Sequence, residues 1–161
     1  MTEALLIRDA LRSDLPRLLE LERQCFSVPW TERMLLSQMD PERNVFLVAG
    51  AAGTVAGYVG LMYVLDEGYI SNVCTAPEYR RRGVADALLT ALEERCAEKR
   101  LAFLTLEVRE SNAPAIALYA KHGYESVGRR KNYYEKPRED AILMTRFLPG
   151  AAESTTEATP I

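Results

Sequence analysis

Histidine is nearly missing from this chain, with one residue, His122, among 161. Cysteine is scarce as well. Cys25, Cys74 and Cys96 lie far apart, each inside an apolar segment, a spacing that suits neither a zinc motif nor a disulfide framework. We expect three buried, reduced thiols and no metal. An excess of basic charge is also lacking: 20 Lys and Arg stand against 23 Asp and Glu, which argues against a nucleic-acid-binding surface. The opening MTEALLIRD has no basic segment followed by an apolar run, and no stretch approaches the roughly 18 uninterrupted apolar residues of a membrane span. These absences lead us to expect a soluble, cytoplasmic chain with no membrane partner. There is no internal repeat.

What is present is enough apolar material for one packed core, 48% of the residues. We expect a single domain over residues 1–148. The small and polar residues from 149 to 161 read as a disordered tail. Leu5 to Arg8 reads as a first strand, and Ser13 as the N-cap of a helix with Pro16 in its first turn. Leu15, Leu18, Leu19, Glu22 and Cys25 mark that helix's inner face. Pro29 breaks the chain after Phe26, and Thr31 caps a short helix to Met39. Asn44–Ala49 and Val55–Val64 read as a hairpin around Gly50–Gly53, and Tyr69–Thr75 as a fourth strand. Val84, Leu88, Leu92 and Cys96, four apart, predict an amphipathic helix. Leu101–Val108 is a fifth strand, and Asn112 with Pro114 starts a helix that Gly123 ends as a left-handed cap. Tyr124–Arg130 and Ala141–Phe147 make an antiparallel pair. The order β-α-α-β-β-β-α-β-α-β-β places the chain in the α/β class, with a mixed sheet and helices on its faces.

Chemistry is concentrated at two places. The first is the turn Arg80-Arg81-Arg82-Gly83-Val84-Ala85, between the fourth strand and the long helix. A helix opens with backbone N–H groups that lack intrahelical partners, so a glycine there lets an anion approach the backbone, and three arginines add charge beside it. A plain surface turn is the alternative. The second place is the fifth strand, where Glu107 alternates with Leu104, Leu106 and Val108 and therefore faces away from the apolar row. On position alone it is either a solvated carboxylate or a base. The basic cluster Arg129-Arg130-Lys131 reads equally well as a solvated hairpin end or a binding feature.

The run Leu106-Glu107-Val108-Arg109-Glu110-Ser111-Asn112-Ala113-Pro114-Ala115-Ile116-Ala117-Leu118-Tyr119 closely resembles the LEVRxSNxxAxxLY segment of the RimI-type subgroup of the GNAT superfamily, enzymes that acetylate a protein N-terminus. The arginine turn fits the superfamily's pyrophosphate loop, Gln/Arg-x-x-Gly-x-Gly/Ala. Phe26 with Pro29-Trp30, Leu65-Asp66-Glu67, Arg130-Lys131-Asn132-Tyr133-Tyr134 and Glu139-Asp140-Ala141-Ile142-Leu143-Met144 match as well. The likeness spans about Arg8 to Phe147.

The resemblance implies the GNAT fold, a mixed and mostly antiparallel sheet with helices on both faces, and acetyl-CoA as cosubstrate. It implies that Arg80, Arg81, Arg82, Gly83, Val84, Ala85 and Asp86 hold the diphosphate, and that the backbone of Val73, Cys74 and Thr75 receives the pantetheine arm. Asn112 would contact the coenzyme while also capping its helix. Glu107 would be the general base and Tyr119 the general acid, although a helix tyrosine packed on the sheet reads the same way. Phe26, Pro29, Trp30, Tyr133 and Tyr134 would contact the acceptor peptide, or simply pack. The implied partner is a protein N-terminus, the alanine of a small-subunit ribosomal protein. Alternatives are other N-termini, lysine side chains, or a non-catalytic coenzyme A-binding module. Cys74 reads as inert, since direct transfer needs no protein nucleophile, and His122 has no assigned catalytic role.

Overall fold

The computed structural model describes residues 4–149. Seven strands and four α-helices alternate in the expected order, and the strands form a mixed, mostly antiparallel sheet. Residues 150–161, which hold nearly all of the expected tail, lie outside the described residues. The chain gathers into two compact units. One comprises the described residues of Met1–Tyr63 and Ile70–Arg95, the other those of Val64–Tyr69 and Cys96–Ile161.

The first unit opens with β1 (Leu6–Asp9), a 3₁₀ turn (Arg12–Asp14), α1 (Leu15–Cys25) and α2 (Glu32–Ser37). Ser13 is not the cap of α1. Asp14 stands at that position, and its carboxylate accepts from the Leu11 amide at 2.7 Å and from both terminal nitrogens of Arg8. The bidentate arginine outcompetes local capping because a charge-assisted fork is worth more than one hydroxyl bond. Thr31 does cap α2, accepting from the Met34 amide at 3.2 Å. β2 (Asn44–Ala51) and β3 (Thr54–Val64) pair antiparallel, and β1 pairs antiparallel with β2. Their hairpin is tighter than the four residues expected. Ala52 and Gly53 both take positive φ, 50° and 82°, the two-residue turn whose twist matches that of paired strands.

β4 (Glu67–Thr75) lies next to β3, and α3 (Val84–Glu98) covers that pair from Gly57 outward. A Cβ at Gly57 would stand 2.5 Å from the Cys74 carbonyl and 2.8 Å from Val84 Cγ1, so only glycine permits this approach. The Val84, Leu88, Leu92 and Cys96 stripe is buried, as the periodicity requires. Leu18, Leu21, Leu35, Phe46 and Tyr58 are buried together in the first unit's core, with Phe26 and Trp30 packed against its margin. Cys74 and Cys96 are buried, but Cys25 is only half-buried, because it ends α1 where the chain turns outward.

In the second unit, Glu67, Gly68 and Tyr69 of β4 pair in parallel with β5 (Phe103–Arg109). β7 (Glu139–Phe147) lies antiparallel to β5 along its whole length, and β6 (Glu125–Tyr134) is antiparallel to β7. α4 (Ala113–Lys121) connects β5 to β6 and ends at Gly123, whose φ is 88°. β6 runs four residues beyond the expected Arg130. Irregular register between Arg130 and Tyr134 lets the strand resume pairing at Tyr134 opposite Glu139, a bulge that binary pattern does not reveal.

Candidate active site

Glu107 is not solvated. The alternation on β5 holds, with Leu104, Leu106 and Val108 buried, yet the Glu107 side chain on the opposite face keeps only 6% of its surface exposed. Oε2 accepts a hydrogen bond from the Tyr69 phenol, and Oε1 is 3.2 Å from Nε of Arg130. Burial, followed by the bonds to Glu107 and Tyr133, pushes the Tyr69 phenol far above its ordinary range, so it remains a neutral donor. Arg130 also lies over the Tyr133 ring, 5.8 Å from its centroid, and Tyr133 meets Tyr134 edge to face at 5.0 Å. The Tyr134 phenol is pushed up to about 12 by burial first, then by Tyr133 and Glu107, with Arg109 opposing.

Arg109 fixes this corner. Its guanidinium is 4.4 Å from the Tyr134 centroid and donates to the carbonyls of Pro137 and Glu135 at 2.9 and 3.0 Å, closing the β6–β7 turn. Glu139, 3.2 Å from Arg109, also accepts from the Ser111 amide at 2.5 Å and so ties the hairpin to the loop before α4. In that loop Asn112 caps α4, accepting from the Ala115 amide at 3.2 Å. About two turns into α4, Tyr119 is buried against Tyr124, with ring centroids 5.7 Å apart. Burial, then the proximity of Tyr134, raises the Tyr119 phenol above its ordinary value.

In the first unit, the arginine turn has the geometry of an anion cradle. Gly83 has φ 77°, and no atom lies within 4 Å of where its Cβ would stand, so the backbone there is open. The first intrahelical bond of α3 runs from the Ala87 amide to the Gly83 carbonyl at 3.0 Å. Val84, Ala85 and Asp86 precede it and form the first turn of α3, where amide N–H groups point out of the helix end. Arg80, Arg81 and Arg82 are exposed: Arg82 lies over the Tyr79 ring at 5.4 Å, Arg80 reaches to 3.9 Å from Cys25 Sγ, and Arg81 takes a φ of 65°. At the end of β4, the Ala76 amide donates to the Ala56 carbonyl at 2.7 Å, and the Cys74 carbonyl is turned against Gly57. Strand alternation therefore sends the Val73 and Thr75 backbone groups to the edge away from β3. The Thr75 carbonyl is met there by the Cys25 thiol at 3.5 Å. The buried Cys74 thiol is pushed well above its ordinary value by burial and then by Cys25, which keeps it protonated and unreactive.

Residues 15–124 match the profile of the Acetyltransferase (GNAT) family. The chain belongs to the GNAT family. Among its curated GNAT relatives, the [ribosomal protein bS18]-alanine N-acetyltransferase of Escherichia coli is 37% identical over 134 residues, covering 82% of this chain and 90% of that protein. The enzyme of the same name from Haemophilus influenzae is 38% identical over 138 residues, covering 84% and 93%. The crystal structure of the ribosomal-protein-S18-alanine N-acetyltransferase from Escherichia coli superposes with a TM-score of 0.85 at 35% identity, covering 90% of this chain and 94% of that one.

Within this GNAT chain, the second unit brings Glu107, Tyr133 and Tyr134 into one cluster with Tyr119 close to Tyr134. Tyr69, Arg109 and Arg130 belong to the same cluster as contacts, and sequence reasoning gave none of them a role in it. Tyr69 precedes Glu107 by 38 residues, and only the parallel register of β4 and β5 joins them. The Arg129-Arg130-Lys131 stretch is solvent-exposed, as a hairpin end would be, and two of its side chains are paired as well: Arg129 with Glu110 at 2.7 Å and Asp140 at 3.1 Å, and Arg130 with Glu107. Among the described residues no helix is long and apolar enough to cross a membrane.

Proposed function

We propose that this GNAT enzyme transfers the acetyl group of acetyl-CoA to the N-terminal α-amine of a protein, with the N-terminal alanine of ribosomal protein bS18 as its acceptor. The relatives that bear that name cover most of the chain, and the observation that carries the reading is the desolvated Glu107 carboxylate held by Tyr69 and Arg130. Acetyl-CoA supplies the thioester carbonyl and a thiolate leaving group. An ammonium must first lose a proton to become a nucleophile, and Glu107 accepts that proton, directly or through water. Arg130 keeps a positive charge beside the carboxylate, and Tyr69 orients it through Oε2.

Tyr119 serves the leaving sulfur. Because burial raises its phenol, complete proton transfer to a thiolate is uphill, and its contribution is a hydrogen bond that strengthens as charge develops on sulfur. The open backbone of Gly83, the first turn of α3 over Val84, Ala85 and Asp86, and the side chains of Arg80, Arg81 and Arg82 fit a diphosphate. Val73 and Thr75 offer backbone groups to the pantetheine arm, whereas those of Cys74 are committed to β3. Capping occupies Asn112 Oδ1, which leaves its amide N–H pair to donate to the coenzyme. Phe26, Pro29 and Trp30 on the α1–α2 loop, and Tyr133 and Tyr134 on β6, contact the acceptor peptide.

Chemistry favours the α-amine. Its reference pKa is near 8 against about 10.4 for lysine, so lysine offers roughly 250-fold less free base at neutral pH. The test compares peptides that begin with Ala against the same peptides blocked at the N-terminus with lysine left free, alongside mass spectrometry of ribosomal-protein N-termini in cells with and without the enzyme. Acetylation of the free alanine alone is the expected result. Equal rates on the blocked peptides would overturn the assignment in favour of lysine.

A further inference from the structure

α1 carries Glu22 on its inner face, where it is 1% exposed. Burying a carboxylate is costly unless its oxygens are fully bonded, and an apolar side chain would fill the same space at less cost. All its partners here are neutral donors. Oε1 accepts from the backbone N–H of Trp30 at 2.7 Å, while Oε2 accepts from the Tyr58 phenol and from Asn72 Nδ2 at 2.7 Å. One carboxylate thus joins α1, β3 and β4 to the far end of the α1–α2 loop. Tyr58 is fully buried, and desolvation, followed by the coulombic effect of Cys74 and the charge of Glu22, raises its phenol far out of the titrating range, so this donor is permanent.

The loop itself has two anchors and an open tip. Phe26 and Trp30 pack against the first unit's core, while Ser27, Val28 and Pro29 between them are exposed, Val28 at 60%. Aromatic packing fixes the depth of Trp30 without fixing the direction of its backbone; the Glu22 bond supplies that direction. We propose that Glu22 is a positioning residue for acceptor recognition, setting the loop so that Val28 and Pro29 present a fixed apolar edge to the small first side chain of the peptide. This rests on the α1–α2 loop being a peptide-binding surface, as proposed above.

Trp30 is the chain's one tryptophan, so intrinsic fluorescence reads this loop directly. Glu22→Gln keeps the shape but turns one acceptor into a donor, which must then face an N–H or the Tyr58 and Asn72 pair. The expected result is a peptide KM raised about tenfold, with kcat and acetyl-CoA KM within about twofold. Trp30 emission of the free enzyme should shift to the red and lose its response to added peptide. A merely structural role would lower Tm alone, and unchanged peptide KM with unchanged Trp30 emission would overturn the proposal. If Glu22→Gln fails to fold, Tyr58→Phe, which deletes one donor and leaves the Trp30 bond, must raise peptide KM by about threefold with the same spectral shift; its absence is equally fatal. A wild-type enzyme inert toward alanine peptides would instead refute the acceptor assignment, and the Trp30 emission of Glu22→Gln would still decide whether Glu22 holds the loop.

Discussion

The phenol of Tyr69 donates a hydrogen bond to Oε2 of Glu107. The contact follows from register: Tyr69 lies opposite Thr105 in the parallel β4–β5 pair, and Glu107, two residues further along, shares the face of Thr105. With Arg130 on Oε1, both carboxylate oxygens are engaged and the side chain is held in one orientation.

Glu107→Gln should therefore lower kcat at pH 7 by about 100-fold, with acetyl-CoA KM unchanged. The deficit should shrink above about pH 8, where the α-amine loses its proton unaided. Tyr69→Phe, which frees the carboxylate without removing it, should cost about tenfold in kcat. Steady-state kinetics across pH decide this, and a wild-type profile for Glu107→Gln would remove it from the mechanism.

At Gly83 the left-handed φ and the open space call for two substitutions. Gly83→Ala adds backbone strain of roughly 1–2 kcal/mol but no charge. Gly83→Asp adds the same strain plus a negative charge at the proposed diphosphate position. Calorimetry should show acetyl-CoA affinity at least about tenfold weaker for Asp than for Ala, and equal affinities would rule out this turn as the anchor.

Tyr134 packs under Arg109, and burial pushes its phenol up to about 12, above any practical assay range. Tyr134→Phe should leave the pH profile as it is. Tyr134→Ala removes the ring and should raise the peptide KM about tenfold, more than the acetyl-CoA KM. An acetyl-CoA KM that rises as much as the peptide KM would reassign the residue.

Asp14 makes the stability prediction. The Arg8 hydrogen bond is the main cause that lowers its pKa, with the Leu11 amide and the Arg8 charge helping against burial. A carboxyl with a lowered folded-state pKa stabilises the fold above the unfolded value of about 3.9, and that stability is lost as pH falls through the folded value. Asp14→Asn should cost about 1–3 kcal/mol at pH 7 by urea denaturation. The gap between variant and wild type should close below about pH 4.

Elements set by neighbours in sequence are legible in the sequence alone. The four-residue stripe of α3 buries itself wherever the helix packs, the β5 alternation places Glu107 off the apolar row, and Asn112, Thr31 and Gly123 act on backbone groups only three or four residues away. Glu22 sat correctly on the inner face of α1, but nothing local named its partners, which come from Trp30, Tyr58 and Asn72. Ser13 is not the cap because Arg8, six residues back on β1, makes Asp14 the better-bonded residue at the helix start.

The residue types, their periods and the RimI-like motif were enough by themselves to determine the fold class and the family, and to single out Glu107 as the proposed base. Only the tertiary structure decided which side chains meet that acid. Tyr69 reaches it through strand register, Arg130 through a bulged hairpin, and Arg109 by gathering the turn beyond Tyr134. Register and bulges are settled by the packing of whole strands against one another, with energies shared among many contacts, and a short stretch of sequence carries no separate signal for them.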